Sequence, residues 1–303
     1  MTDFSNWRRF DYANSSVQLW VFKKSTTESK FRAWHVRTDE DIERLFRDTI
    51  IEQVRSITEE RDYSPISQTN ESSCLKHSLE DSEGLIALLN VVDAPEAENT
   101  DVLLKHLKGA AGYLVKFQHS NRVVYAVRKT APTWKATVRN SMINAIFNNG
   151  ELSATPNETF SFDSFFDFYC FNDTVFVKTK RAYESILSEK KIYQKNFDDL
   201  LVDQNFTTIF TNMQPLRDYV GSNAMQLRRI SVIQQRALYL RPGFSQRVQQ
   251  VNSRRNFGLN FDQNGKIIPC DITAKTIMQI LLDHRLFSEI TDTTYDVPDA
   301  EAV

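Results

Sequence analysis

Three aspartates are the first residues whose types and spacing could do chemistry: Asp163, Asp167 and Asp173. They lie in FSFDSFFDFYCFNDTVFVKTKRAYES, residues 160–185, among seven phenylalanines and two tyrosines. Carboxylates that converge in a fold can hold Mg²⁺ for phosphodiester cleavage. The following segment, DTVFVKTK, has no acid at the position that would pair with its lysines. A metal-dependent nuclease using Asp163 and Asp167 is therefore an alternative and not the leading hypothesis.

The same stretch also predicts strands of a sheet core. Side chains alternate across a strand, so FFDFYCF has two faces. The alternation places Phe166, Phe168 and Cys170 on one face, and Asp167, Tyr169 and Phe171 on the other. Asp167 then needs backbone or arginine donors, or a place near the rim, because an unpaired buried carboxylate is costly. Asp173 most simply closes a turn.

A second chemical signal is a run of arginines without acids. Residues 219–261 contain no Asp or Glu and seven arginines. Interleaved glutamines and asparagines give this run a composition typical of contacts with DNA phosphates and base edges. In an alternative reading, the arginines pair with the acidic segments 39–62 or 271–303, within the chain or across a dimer.

Two helices are predicted across this run, over 224–240 and from Pro242 to near Gly258. In each helix two arginines lie seven residues apart and share a face. These pairs are Arg229 with Arg236, and Arg247 with Arg254. The predicted DNA-binding residues are Arg228, Arg229, Arg236, Arg241, Arg247, Arg254 and Arg255, together with Lys129 and Arg139. If five or six of these met phosphates of a duplex, the log–log slope of affinity against salt would be roughly −5.

The usual signatures of catalysis are missing from the sequence. There is no GxGxxG, GxxxxGK[ST], HExxH or GxSxG, and the five histidines lie far apart. We therefore expect no catalytic residues, no metal and no cofactor. Cys74, Cys170 and Cys270 show no CxxC pairing and are expected to be reduced, buried thiols. Together with the lack of an apolar run of ~20 residues and of a signal-like N-terminus, they predict a cytoplasmic protein.

The elements that must position these residues predict an α+β fold. Strands come in adjacent pairs, which favours a mostly antiparallel sheet with packed helices in the N-terminal two-thirds. The Arg-rich helical segment follows, and a small hairpin–helix–strand end closes the chain. The expected domains are residues 1–205 and 206–303. The clearest local predictions are a hairpin over 112–130 with the turn HSNR, and a second hairpin turn at Asn264-Gly265.

Three segments of the chain carry a resemblance to a known family. They are GYLVKFQHSNRVVYAVRKTAPTW, then FSFDSFFDFYCFNDTVFVKTKRAYESI, and near the end ILLDHRLFSEITDTTYDV. In content and order they resemble the Kiwa protein KwaB-like family, most specifically over 111–190. Tyr183 is a departure, because the family tends to have Phe before the glutamate, here Glu184. The arginine run has no residue-by-residue match to the family.

The resemblance implies a role in a two-component bacterial anti-phage system. It implies a cytosolic DNA-binding effector that self-associates as a homodimer or higher homo-oligomer. It also implies a partner, the KwaA-like integral membrane protein, which would hold the effector peripherally at the inner membrane. The resemblance transfers no catalytic motif. A scaffold that binds protein without DNA affinity is a further alternative.

Overall fold

The computed structural model describes residues 2–26, 30–94, 104–130, 145–148, 151–154, 162–288 and 293–297. The chain divides into two compact units. Unit 1 comprises Met1–Tyr63 and Gln68–Leu187. Unit 2 comprises Ser64–Ser67 and Ser188–Val303.

Unit 1 is built on a sheet that, in the described part of the chain, has eight strands in the order β2-β1-β5-β6-β9-β10-β4-β3. All neighbouring pairs are antiparallel except β3 with β4. A separate hairpin pairs β7 with β8. The strands are β1 Ser16–Lys24, β2 Phe31–Val36, β3 Glu59–Asp62, β4 Ser73–Ser78, β5 Gly112–His119, β6 Arg122–Lys129, β7 Ala145–Asn148, β8 Glu151–Ala154, β9 Phe168–Phe171 and β10 Thr174–Val177.

The predicted hairpin over 112–130 is confirmed as β5 and β6. The two strands stay in register from Gly112–Lys129 to His119–Arg122. Ser120 in the tight turn has φ of 55°, a left-handed conformation that such turns require. Strong β-formers on both sides of a short polar turn are therefore sufficient to predict this element.

Helices cover both faces of the sheet in unit 1. They are α1 Asp3–Arg8, α2 Glu40–Ser56, α3 Glu83–Val92, α4 Leu104–Leu107 and α5 Lys180–Leu187. One core joins Trp7 of α1 and Ile50 of α2 to Tyr169 on the sheet. The core on the opposite face joins Leu88 of α3 and Tyr183 of α5 to the sheet. Unit 1 thus has a helix–sheet–helix arrangement.

The aromatic stretch forms the short hairpin β9–β10, in which Phe171 pairs with Thr174. Asn172 in its turn has φ of 51°. The predicted alternation holds within β9, where Phe168 and Cys170 enter one core while Tyr169 and Phe171 enter the other. It is wrong for Phe166, which joins Tyr169, because the strand begins only at Phe168 and residues before it do not alternate.

Unit 2 combines helices with two small antiparallel ladders. Its helices are α6 Glu189–Leu200, α7 Gln204–Thr207, α8 Gln214–Val220, α9 Ala224–Arg236, α10 Phe244–Arg255 and α11 Asp271–Leu281. Its strands are β11 Asn260–Phe261, β12 Ile267–Ile268, β13 Arg285–Ser288 and β14 Thr293–Asp296. The predicted α+β class is therefore confirmed. None of the described helices combines the length with the apolar composition that a membrane-spanning segment needs.

The predicted hairpin turn at Asn264-Gly265 is confirmed between β11 and β12. Gly265 has φ of 77°, and a Cβ there would lie 2.5 Å from Nε2 of Gln249. That amide instead donates a hydrogen bond to the Gly265 carbonyl oxygen at 3.0 Å. Glycine is favoured here by the positive φ, and its lack of a Cβ leaves room for the Gln249 amide.

A chain of hydrogen bonds, buried at Tyr183 and Ser82, ties α5 to strand β4 in unit 1. The Tyr183 hydroxyl lies 2.9 Å from Nε2 of His77 and 2.8 Å from Oγ of Ser82. Nδ1 of His77 lies 2.8 Å from the carbonyl oxygen of Ser78. Since a carbonyl oxygen only accepts, Nδ1 carries the proton and Nε2 is an acceptor. The hydroxyl that distinguishes Tyr183 from phenylalanine is therefore used by this chain of hydrogen bonds.

We expect His77 to make unit 1 less stable in mild acid. Burial lowers the pKa of His77, against smaller opposing effects of the Ser78 carbonyl and Asp81. Because the unfolded state then binds more protons, the contribution is complete above the unfolded pKa of about 6.5 and is lost as pH falls below it. Urea unfolding of wild type and His77→Gln between neutral pH and mild acid should show a steeper loss in wild type. Parallel losses would contradict a neutral His77.

Candidate nucleic-acid interface

Helix α9 carries three of the predicted arginines. Asn223 caps its first turn by accepting hydrogen bonds from the backbone N–H groups of Met225 and Gln226. The predicted helix over 224–240 is wrong beyond Arg236, because Ala237 adopts a left-handed conformation with φ of 47° and a 3₁₀ turn follows at Leu238–Leu240. The buried stripe of α9 includes Leu227 and Ile230.

The arginines of α9 differ in what they contact. Arg229 is half-buried and donates to Oε1 of Gln226 at 3.4 Å. Arg236 is exposed and donates to the carbonyl oxygen of Leu282 at 3.1 Å. Leu282 is the C-terminal cap of α11, where a cation is favoured by the helix dipole. Arg236 therefore has a structural partner inside unit 2, and Arg228 beside Arg229 is half-buried.

Helix α10 presents a more open set of arginines. Arg247, Arg254 and Arg255 are exposed, as is Arg241 just before the helix. Val248 is the residue of α10 that is fully buried. At 100° per residue, Arg247 and Arg254 both project about 100–120° from Val248, on one side of the helix. The predicted seven-residue pairing of these two arginines is thus present on a single helix face.

Arg241, Arg247 and Arg254 form no ion pair with a carboxylate of the described residues. Several acids of the segment 39–62 are instead paired locally. Arg44 bonds Asp41 at 2.7 Å, and Arg47 bonds Glu43 at 2.8 Å. The alternative in which the arginines pair with the acidic segments 39–62 or 271–303, within the chain or across a dimer, stays a prediction. Among the described residues, no carboxylate competes with an external anion for these three exposed guanidinium groups.

Two of the interleaved amides have structural roles that the composition does not reveal. The Asn252 side chain donates to the Leu259 carbonyl oxygen and accepts from the Leu259 N–H, both at 3.1 Å. Gln249 holds the turn at Gly265. These amides fix α10 to the segment that follows it. Gln246 and Gln250 are exposed on the outer face of α10.

Asp163 and Asp167 both bind the guanidinium of Arg128, and these three residues form the Asp167 clamp. Asp167 is fully buried. Both of its carboxylate oxygens lie 2.9 Å from Nη1 of Arg128, and one accepts from the Lys129 N–H at 2.7 Å. Nε of Arg128 donates to the half-exposed Asp163 at 2.9 Å. The Arg128 guanidinium also lies 3.8 Å from the centre of the Phe165 ring.

The backbone of Asp167 joins neighbouring strands in the same clamp. Its N–H donates to Val127 of β6, and its carbonyl oxygen accepts from Lys178 and Thr179 just after β10, all at 2.8 Å. Burial opposes the charge of Arg128, but the hydrogen bonds and charges of Asp167 and Asp163 together raise the pKa of Arg128. The predicted need of Asp167 for arginine or backbone donors is met by both.

This arrangement bears on the nuclease alternative. A metal ion at Asp167 would have to displace the Arg128 guanidinium from a carboxylate that solvent does not reach. Among the described residues, no group of three or more His, Cys, Asp or Glu side chains is placed to hold a metal ion. That the protein is not an enzyme stays a prediction.

The other residues that the sequence singled out lie outside α9 and α10. Lys129 is a half-buried residue at the end of β6 in unit 1. Arg139 lies outside the described residues. Cys74 and Cys170 are buried, and burial raises the pKa of each to about 12. Cys270 is exposed, so the prediction of three buried thiols is wrong there, because Cys270 precedes the first turn of α11.

A known protein family matches a range of the chain that includes both the Asp167 clamp and helix α10. A family model described as Kiwa protein KwaB-like matches residues 107–291, more than half of the chain. The chain belongs to the Kiwa protein KwaB-like family. No curated protein and no solved structure matches the sequence.

Membership of the KwaB-like family makes this chain a protein of Kiwa anti-phage defence. The matched range includes the Asp167 clamp, helix α10 and the arginines on it. It therefore extends over the arginine run, for which the sequence alone offered no residue-by-residue match. Arg128 is the residue at these sites that sequence reasoning missed. Its place one residue before the end of a predicted strand was the available signal.

Proposed function

We propose that this KwaB-like protein acts in phage defence by binding DNA through the arginines of unit 2. The observation that carries the proposal is the exposed set Arg241, Arg247 and Arg254, which has no carboxylate partner among the described residues. Guanidinium groups match phosphate oxygens in charge and in planar hydrogen-bonding geometry. Arg228, Arg229 and Arg255 extend the interface, while Arg236 contributes less because it already caps α11.

The arginines are held on helices whose apolar sides are fixed in one core. Ile230 and Ile233 of α9, Val248 of α10 and Ile277 of α11 belong to the same buried cluster. A phosphate ligand would therefore meet a preformed surface, and little ordering entropy would oppose binding. No base-specific pattern follows from the arginines alone, so the proposed binding to duplex DNA is independent of sequence.

The defence role requires partners as well as DNA. We propose that the protein works with the KwaA-like integral membrane protein, is held at the inner membrane by it, and self-associates as a homodimer or larger homo-oligomer. The support for this part is family membership. In this scheme the arginine surface remains open to DNA while another surface meets the membrane partner.

We expect binding to duplex DNA to weaken steeply with salt. Each phosphate contact adds about −0.9 to the log–log slope of affinity against salt, so five or six contacts give roughly −5. Fluorescence anisotropy of a labelled duplex across a salt series, with and without Mg²⁺, measures this slope. A chain that binds no DNA at low salt would refute the proposal and favour the protein scaffold. Shortened DNA recovered only with Mg²⁺ would favour the nuclease.

A further inference from the structure

A pocket of about 190 Å³ lies beside the arginines of α10 in unit 2. Apolar side chains make up most of its lining, among them Phe244, Val248, Val251, Phe257 and Ile280. Pockets for drug-sized ligands are larger, roughly 300–1,000 Å³. This pocket therefore suits a single ring system and not a whole cofactor. Val251 at its edge is 38 % exposed, so the pocket reaches the surface of α10.

The rim of the pocket is cationic. Arg241, Arg247 and Arg285 all line it, with Asp283 as the carboxylate among the lining residues. The Arg285 guanidinium lies 5.1 Å from the centre of the Phe257 ring and is fixed by donating to Oε1 of Gln279 at 2.9 Å. A planar cation next to an aromatic ring is a platform on which another flat π-system stacks.

We propose that this pocket receives an unpaired nucleobase of a DNA strand whose phosphates contact Arg241 and Arg247. The inference rests on the proposed function and adds to it a preference for DNA that is single-stranded or locally opened. The apolar floor takes the faces of the base, the guanidinium rim complements the flanking phosphates, and Asp283 accepts from an exocyclic amine. In an intact duplex the base faces are stacked and cannot enter.

Two DNA molecules with the same number of phosphates test base binding in the pocket separately from DNA binding itself. One is a short labelled duplex, and the other is the same duplex with a central run of mismatches. Stacking one base on an aromatic side chain typically changes affinity about five- to 150-fold, so we expect the mismatched duplex to bind wild type about tenfold more tightly. Equal affinity would overturn the pocket inference and leave DNA binding standing. Binding to neither would refute the proposed function and the inference with it.

Two variants test whether the pocket causes the preference for the mismatched duplex. Phe257→Leu removes the ring while keeping an apolar side chain, and Val251→Trp fills the pocket from its exposed edge. Each should bring the two affinities within about twofold of each other while duplex affinity is retained. Ile272→Trp is the matched control, because Ile272 is 89 % exposed on α11 and does not line the pocket. Wild-type preference in both pocket variants, with helicity intact by circular dichroism, would overturn the inference.

Discussion

Arg128→Ala is expected to lower the free energy of unfolding of unit 1 by about 3–5 kcal/mol, because it leaves the fully buried Asp167 carboxylate without its counter-charge. The Lys129 N–H would remain as the donor to one oxygen, and one neutral hydrogen bond does not replace a guanidinium. Urea unfolding followed by tryptophan fluorescence measures the loss. All four tryptophans fall in the sequence ranges of unit 1, so unit 2 does not contribute to the signal.

Two further variants test the cause of that loss. Asp163→Asn removes the other carboxylate on the same guanidinium, but Asp163 is half-exposed, so its loss should cost about 1 kcal/mol or less. The double variant Arg128→Met with Asp167→Leu removes both charges of the pair and should recover most of the stability. If the double variant is no more stable than Arg128→Ala, the buried charge is not the cause and lost packing against Phe165 is the better explanation.

Local patterns in the sequence were sufficient to predict the local elements. The β5–β6 hairpin and the turn at Gly265 each depend on residues within one short segment. The order of the strands in the sheet does not depend on residues within one short segment. Strand β9 lies between β6 and β10, and β3 runs parallel to β4. These pairings are fixed by burial on both faces of the sheet, which a single sequence does not display.

The same distinction applies to the candidate sites. The need of Asp167 for a donor followed from its aromatic neighbours, but Arg128 is 39 residues away and is brought beside it only by the pairing of β6 with β9. For the arginine run, helical spacing predicted the pairing of Arg247 with Arg254. It could not separate these exposed arginines from Arg236, whose acceptor is a carbonyl oxygen 46 residues along the chain.

Neutralising Arg241, Arg247 and Arg254, which have no carboxylate partner among the described residues, is the second large expected effect. The variant with Arg241→Gln, Arg247→Gln and Arg254→Gln should bind duplex DNA about a hundredfold or more weakly at low salt, because three phosphate contacts and their released counterions are lost. For the same reason the log–log slope of affinity against salt should become shallower by about 2.7. Fluorescence anisotropy across a salt series measures both quantities on one labelled duplex.

A matched variant separates local contacts from overall charge. This variant also removes three positive charges, but from exposed positions in unit 1: Arg8→Gln, Arg37→Gln and Arg55→Gln. If phosphates meet the α10 surface, this variant should keep the salt slope of wild type, because it leaves every arginine of that surface in place. Equal weakening in the two triple variants would mean that net charge governs binding. It would remove the assignment to Arg241, Arg247 and Arg254. Arg236 is left intact in both variants, because its bond to Leu282 would confound binding with the stability of α11.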